Sequence, residues 1–99
     1  MDLNIFEQAG LTQGEAAAQI GVARLTLIRW LKGCPPRAST TPQLKRAVVL
    51  TQVAMRLGLL GDALAPSRKN QELRQQQIAH AYAQAQLALN RYKTRNTSN

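Results

Sequence analysis

No stretch of the chain sustains the two-residue alternation of β-branched positions that marks a strand, and its apolar residues fall at helical offsets. Glycines at positions 10, 21, 33, 58 and 61 cut the pattern into segments. The predicted elements are a short helix over 3–9, a second over 12–20, a third over 23–32 and a fourth from 41 to 57. A further short turn falls within 59–65, and a long final helix over 68–93 precedes a frayed polar tail. The second helix has a reciprocal capping pair, Thr12 and Glu15, and stops where Gly21 can turn left-handed. Residues 34–40, opening Cys34-Pro35-Pro36, cannot continue a helix. Thr41 followed by Pro42 supplies a capping hydroxyl and a first-turn proline, so the fourth helix restarts there. Pro66 and Ser67 restart the last one.

The stretch from 11 to 33 meets several steric demands at once. Two short helices crossing through a tight turn need a small residue at their contact, which Ala17 provides, and a glycine in the turn, Gly21. Apolar side chains must then close the core from both sides: Ala16, Ile20, Val22, Leu27 and Trp30. At about 100° per residue the third helix divides into two faces. Arg24, Leu25, Ile28, Arg29 and Lys32 share one side. Thr26, Leu27, Trp30 and Leu31 share the other. One face therefore carries cations without an acid, and the other forms core. Trp30 is expected inside, not as a stacking platform.

The final helix repeats Ile78, Tyr82, Ala85, Leu89 and Tyr92 at alternating steps of four and three, with Ala81 beside them. Such a seam suits a partner helix. It can join a second copy of the chain or lie on the fourth helix, whose Leu44, Ala47, Val48, Val53 and Met55 form a broad apolar surface. Self-association is the preferred expectation, with Ile78, Ala81, Tyr82, Ala85, Leu89 and Tyr92 as the dimer contact.

Composition narrows the partner. Thirteen Lys/Arg against five Asp/Glu give the 99 residues a formal charge of +8. The first 22 residues hold Asp2, Glu7 and Glu15 and no base, so every cation lies from Arg24 onward. A localised positive field points to an anionic partner, above all nucleic acid. With 44% hydrophobic residues the chain can still build a core. The length suits one compact domain, or one domain with an appended arm. A single cysteine, Cys34, excludes an internal disulfide or a Cys-rich zinc site, and a single histidine, His80, excludes a multi-His centre. Cys34 is expected to be an incidental thiol and His80 a solvated helix residue. No metal, cofactor or small-molecule ligand is implied. A carboxylate pair, a nucleophile–base set and a Gly-rich phosphate loop are all missing, so an enzyme is not expected. The longest apolar run, 47–50, is far short of a membrane span, and the start of the chain lacks a secretory pattern, which makes the expected location cytoplasmic.

On Leu11-Thr12-Gln13, Gly21-Val22-Ala23-Arg24 and Arg29-Trp30-Leu31-Lys32-Gly33, the segment resembles the DNA-binding motif of the lambda repressor/Cro-like transcriptional regulators. A looser likeness extends over 44–64, and the last helix lies outside it. The chain departs from the family in Ala23, where a capping Ser is common, in apolar Leu25 and Ile28, and in its shorter first helix. The resemblance implies an all-α helix-turn-helix domain over 1–65, with 66–99 as a helical arm for dimerisation. It implies that Arg24, Leu25, Ile28 and Arg29 occupy base-reading positions and that Gln13 touches the duplex from the start of the second helix. Lys32, Arg37, Lys45 and Arg46 are placed for phosphates. The arm's Arg68, Lys69, Arg74, Arg91, Lys93 and Arg95 can add phosphate contacts or simply form a solvated face. The expected function is that of a homodimeric, sequence-specific regulator of a palindromic operator on double-stranded DNA, acting as a repressor of the small phage or plasmid type. The alternatives are a basic architectural or RNA-binding protein that binds by charge alone, and an interaction adaptor using its C-terminal helix.

Overall fold

The computed structural model describes residues 3–66 and 70–97, with side chains as far as Tyr92. The protein is all-α, and no strand occurs among the described residues. Five α-helices follow one another: α1 (Asn4–Gln8), α2 (Gln13–Ile20), α3 (Arg24–Leu31), α4 (Thr41–Arg56) and α5 (Gln71–Thr97). Among the described residues between the last two lies one 3₁₀ turn, Gly61–Ala63. The chain divides into two compact units, Met1–Val49 and Leu50–Asn99. The boundary falls inside α4, whereas the sequence pattern placed it at 65/66.

In the first unit the ends of the helices follow from local chemistry. The Thr12 hydroxyl accepts from the Glu15 amide at 3.2 Å, while the Glu15 carboxylate accepts from the Thr12 amide at 2.8 Å. Two otherwise orphaned N–H groups are satisfied, and α2 starts where the sequence says it should. At its other end Gly21 takes φ +91°, a conformation that costs a side chain-bearing residue about 1–2 kcal/mol, and the Val22 amide donates to the Ala17 carbonyl at 3.0 Å. Only Val22 and Ala23 then separate the turn glycine from α3.

The C-terminus of α3 closes in the same way. Gly33 at φ +107° lets its own amide reach the Trp30 carbonyl and lets the Cys34 amide reach the Arg29 carbonyl, at 3.1 and 3.0 Å. Equivalent bonds end α1 at Gly10 and α4 at Gly58. The start of α4 differs from expectation. Thr41 is already helical, and its hydroxyl donates back to the Arg37 carbonyl at 3.1 Å instead of capping. The turn over 38–40 carries the chain into the helix, and the Leu44 amide bonds the Thr40 carbonyl.

The first unit's interior is formed by Phe6, Ala9, Ala16, Ala17, Ile20, Leu27, Trp30, Leu44 and Ala47, all buried. Val22 is half-buried. Ala17 is buried at 2% exposure, and α2 packs against α3. One assignment is corrected: Leu31, expected on the core side of α3, is 45% exposed. The five-residue α1 is too short to cover the last turn of α3, and Leu31 instead lines an open groove of about 290 Å³ with Leu3, Phe6 and Leu27.

In the second unit Leu50, Thr51, Ala54, Leu60, Ile78, Ala81, Tyr82 and Ala85 are buried. The seam assigned to a second copy is thus turned inward. Ile78, Ala81, Tyr82 and Ala85 are covered within one chain, Leu89 is half-buried, and only Tyr92 is well exposed at 65%. The reason is visible in one pair. Thr51, the polar residue at the centre of the α4 stripe, shares a hydrogen bond with the Tyr82 hydroxyl, so the seam finds its partner helix in its own chain. Burial holds the Tyr82 phenol above its ordinary value of 10.0, against the smaller opposing effect of the Thr51 bond.

Arg74 is also corrected. Expected among the arm's phosphate contacts or on a solvated face, it is only 6% exposed and donates to the Ala65 carbonyl at 2.8 Å. Gln77 accepts from the Ala65 amide at 2.7 Å, so two side chains of α5 hold that residue at both its polar groups. Arg91 is exposed. Residues 67–69, with the expected start of the last helix and Arg68 and Lys69, lie outside the described residues, as do the side chains of Lys93 and Arg95.

Candidate nucleic-acid interface

All nine residues singled out for contact with a duplex lie in the first unit. Gln13 is the first residue of α2; Arg24, Leu25, Ile28 and Arg29 are on α3, with Lys32 as its C-terminal cap. Arg37 sits in the following loop, and Lys45 and Arg46 on α4. Eight of the nine are exposed. Ile28 is the exception: it is half-buried and shared between the outer face and the interior.

Helix α3 has two sharply different sides because its buried residues are three apart. Leu27 and Trp30 are 2% and 8% exposed, whereas Leu25 is 67% exposed and Arg24 and Arg29 face solvent with it. No acidic residue occurs in α3. An eight-residue helix with a cationic outer side and an apolar tip at Leu25 can offer guanidinium forks and a methyl-sized apolar contact along one edge. Trp30 supplies the inner wall, as its position opposite Arg24 suggested.

Residues of this helix line two of the concave regions among the described residues. The larger, of about 500 Å³, lies between α3 and the loop over 34–40 and brings Arg29 and Arg37 into one lining with Thr26, Trp30, Cys34 and Thr40. The groove beside Leu31 takes in Gln13 at the start of α2. Arg24, Leu25, Lys32, Lys45 and Arg46 line neither of the two. The sequence pattern gave no hint of the larger cleft. The chain leaves α3 through Gly33 at φ +107°, and Pro35 of the following loop lines the cleft.

The remaining chemistry is sparse. Cys34 is exposed and free, and His80 is exposed on α5. Among the described residues no three His, Cys, Asp or Glu side chains come together as a metal site, and no helix is long and apolar enough to cross a membrane. Comparison with protein-family models, curated proteins and solved structures finds no match to this chain.

Proposed function

We propose that this protein is a sequence-specific regulator of transcription that binds double-stranded DNA through α3. The observation that carries the reading is the division of that helix: Leu27 and Trp30 buried, and Arg24, Leu25 and Arg29 exposed on the far side. A B-form major groove admits one α-helix, and arginine is the residue that most often reads guanine, through two parallel hydrogen bonds. In this reading Arg24 and Arg29 take guanine edges and Leu25 takes a thymine methyl. Lys32, Arg37, Lys45 and Arg46 neutralise phosphates and set the salt dependence, and Gln13 touches the backbone from the N-terminus of α2.

Repression follows with the least machinery, because a protein seated on a promoter excludes the polymerase without any further surface. Two copies on a palindromic site remain part of the reading, since paired half-sites supply the affinity that one helix lacks. Their contact must then use surface other than Ile78, Ala81, Tyr82 and Ala85, which are buried in one chain. No catalysis belongs to this function, and a cytoplasmic location is part of the reading.

The test is titration of the full chain with an enriched duplex and with random duplexes at stated salt. A regulator binds its own site about 10³-fold or more tighter than random DNA. Equal affinity for all duplexes makes it a basic architectural or RNA-binding protein, and no duplex binding at low salt makes it an adaptor.

A further inference from the structure

We infer that the cleft between α3 and the loop over 34–40 is a binding site for a small organic anion with a flat apolar body, of which an aryl phosphate is the simplest case. Its volume of about 500 Å³ lies within the range of roughly 300–1,000 Å³ typical of small-ligand sites. The lining is chemically divided. Arg29 and Arg37 both line it, and no acidic residue is among the lining. Trp30 and Pro35 contribute flat apolar wall, while the Thr26 and Thr40 hydroxyls add hydrogen-bonding capacity. Guanidinium forks match phosphate and carboxylate oxygens in pairs, so two of them in one recess select an anion, and the apolar wall selects what the anion is attached to.

The frame of the cleft is held by backbone. Gly33 reverses the chain, the Cys34 amide is bonded to the Arg29 carbonyl, and the Thr40 amide is bonded to the Arg37 carbonyl at 2.9 Å. Both arginines therefore project from positions that the main chain fixes before any ligand arrives. Both arginines have a second employment that rests on the function proposed above: Arg29 is one of the two base-reading arginines, and Arg37 neutralises a phosphate. A ligand that engages their guanidinium groups in the cleft withdraws them from the duplex, so the small anion and DNA compete.

The experiment titrates the full chain with phenyl phosphate and follows two probes of the cleft. Trp30 is the only tryptophan, so its fluorescence reports occupancy, and alkylation of the single thiol, Cys34, by iodoacetamide reports shielding. Phenol and inorganic phosphate serve as probes lacking the anion and the body. The expected result is saturation at about 1 mM or below, with both halves at least tenfold weaker. Arg37→Gln, at an exposed side chain, weakens phenyl phosphate about tenfold, whereas Arg56→Gln, outside the cleft, leaves it unchanged. Saturating phenyl phosphate also lowers affinity for an enriched duplex. A response to inorganic phosphate as strong as to phenyl phosphate, or an unaffected Arg37→Gln variant with native helicity, overturns the site. Cleft binding without loss of duplex affinity overturns the competition. Should the chain bind phenyl phosphate as expected but no duplex, the regulator reading fails alone and the anion site stands.

Discussion

Thr51 on α4 and Tyr82 on α5, 31 positions apart, join their side-chain oxygens at 2.5 Å in the interior of the second unit. Each is the polar member of an otherwise apolar stripe, and each makes the other tolerable there. Thr51→Val and Tyr82→Phe are expected to destabilise by about 1–3 kcal/mol singly and by less than the sum together. Urea unfolding of the four-member cycle measures this, with a coupling of about 0.5–3 kcal/mol expected. Strict additivity contradicts the pairing.

The same pair gives a pH dependence with a defined sign. Burial raises the folded-state Tyr82 phenol above its ordinary 10.0. The unfolded chain therefore loses this proton first as pH rises, and the stabilisation present below pH 10.0 declines above it. Wild type should lose more stability than Tyr82→Phe between about pH 9 and 11, read as the difference in urea midpoints. Parallel curves contradict the shift.

Because the seam on α5 is internal, Ile78→Ala should behave as a core truncation. The expected cost is about 2–5 kcal/mol, with a thermal midpoint that does not move with protein concentration. A midpoint that rises with concentration in wild type and loses that dependence in Ile78→Ala restores the seam to an interface.

At the turn between α2 and α3 the backbone itself is the target. Thr12→Ala removes the reciprocal cap and is expected to cost about 1 kcal/mol. Gly21→Ala meets no close neighbour, only the Gln43 side chain at 3.9 Å, so its expected cost of about 1–2 kcal/mol is that of φ +91° alone. Thermal denaturation measures both. Because Gly21 sets the path into α3, a Gly21→Ala protein that still folds should also lose duplex affinity.

Much of this architecture is legible in the sequence because it is enforced locally. Thr12 with Glu15, and the glycines that follow the first four helices, act over a few residues, and the α3 helical wheel separates Leu27 and Trp30 from Arg24 and Leu25 without reference to the rest of the chain. What is not legible depends on which surfaces meet. Leu31 has the right wheel position to be buried, but α1 is too short to cover it. The seam of Ile78, Tyr82 and Ala85 reads alike for a foreign helix and for α4; the decision rests on Thr51, a polar residue that a hydrophobic count passes over. Arg74 reads as one more surface cation, and only the path of the chain at Ala65 takes it inside. The cleft lined by Arg29 and Arg37 depends on where the loop over 34–40 lies against α3, for which no spacing rule exists.

Phosphate contacts and base contacts separate in their salt response. Lys45→Gln or Arg46→Gln should weaken binding to all duplexes alike and lower the slope of log affinity against log salt by about 1 each. A change of base preference in either variant contradicts the assignment of α4 to the backbone.

The outward side of α3 is tested most directly by selecting bound duplexes from a random DNA pool, in parallel with wild type, Arg24→Ala and Arg29→Ala at one salt concentration. Wild type should yield an enriched motif, and each variant a relaxed preference at one guanine-containing position, at a cost of about 1–3 kcal/mol against the wild-type site. No enriched motif, or the same motif recovered unchanged by both variants, contradicts base reading by α3.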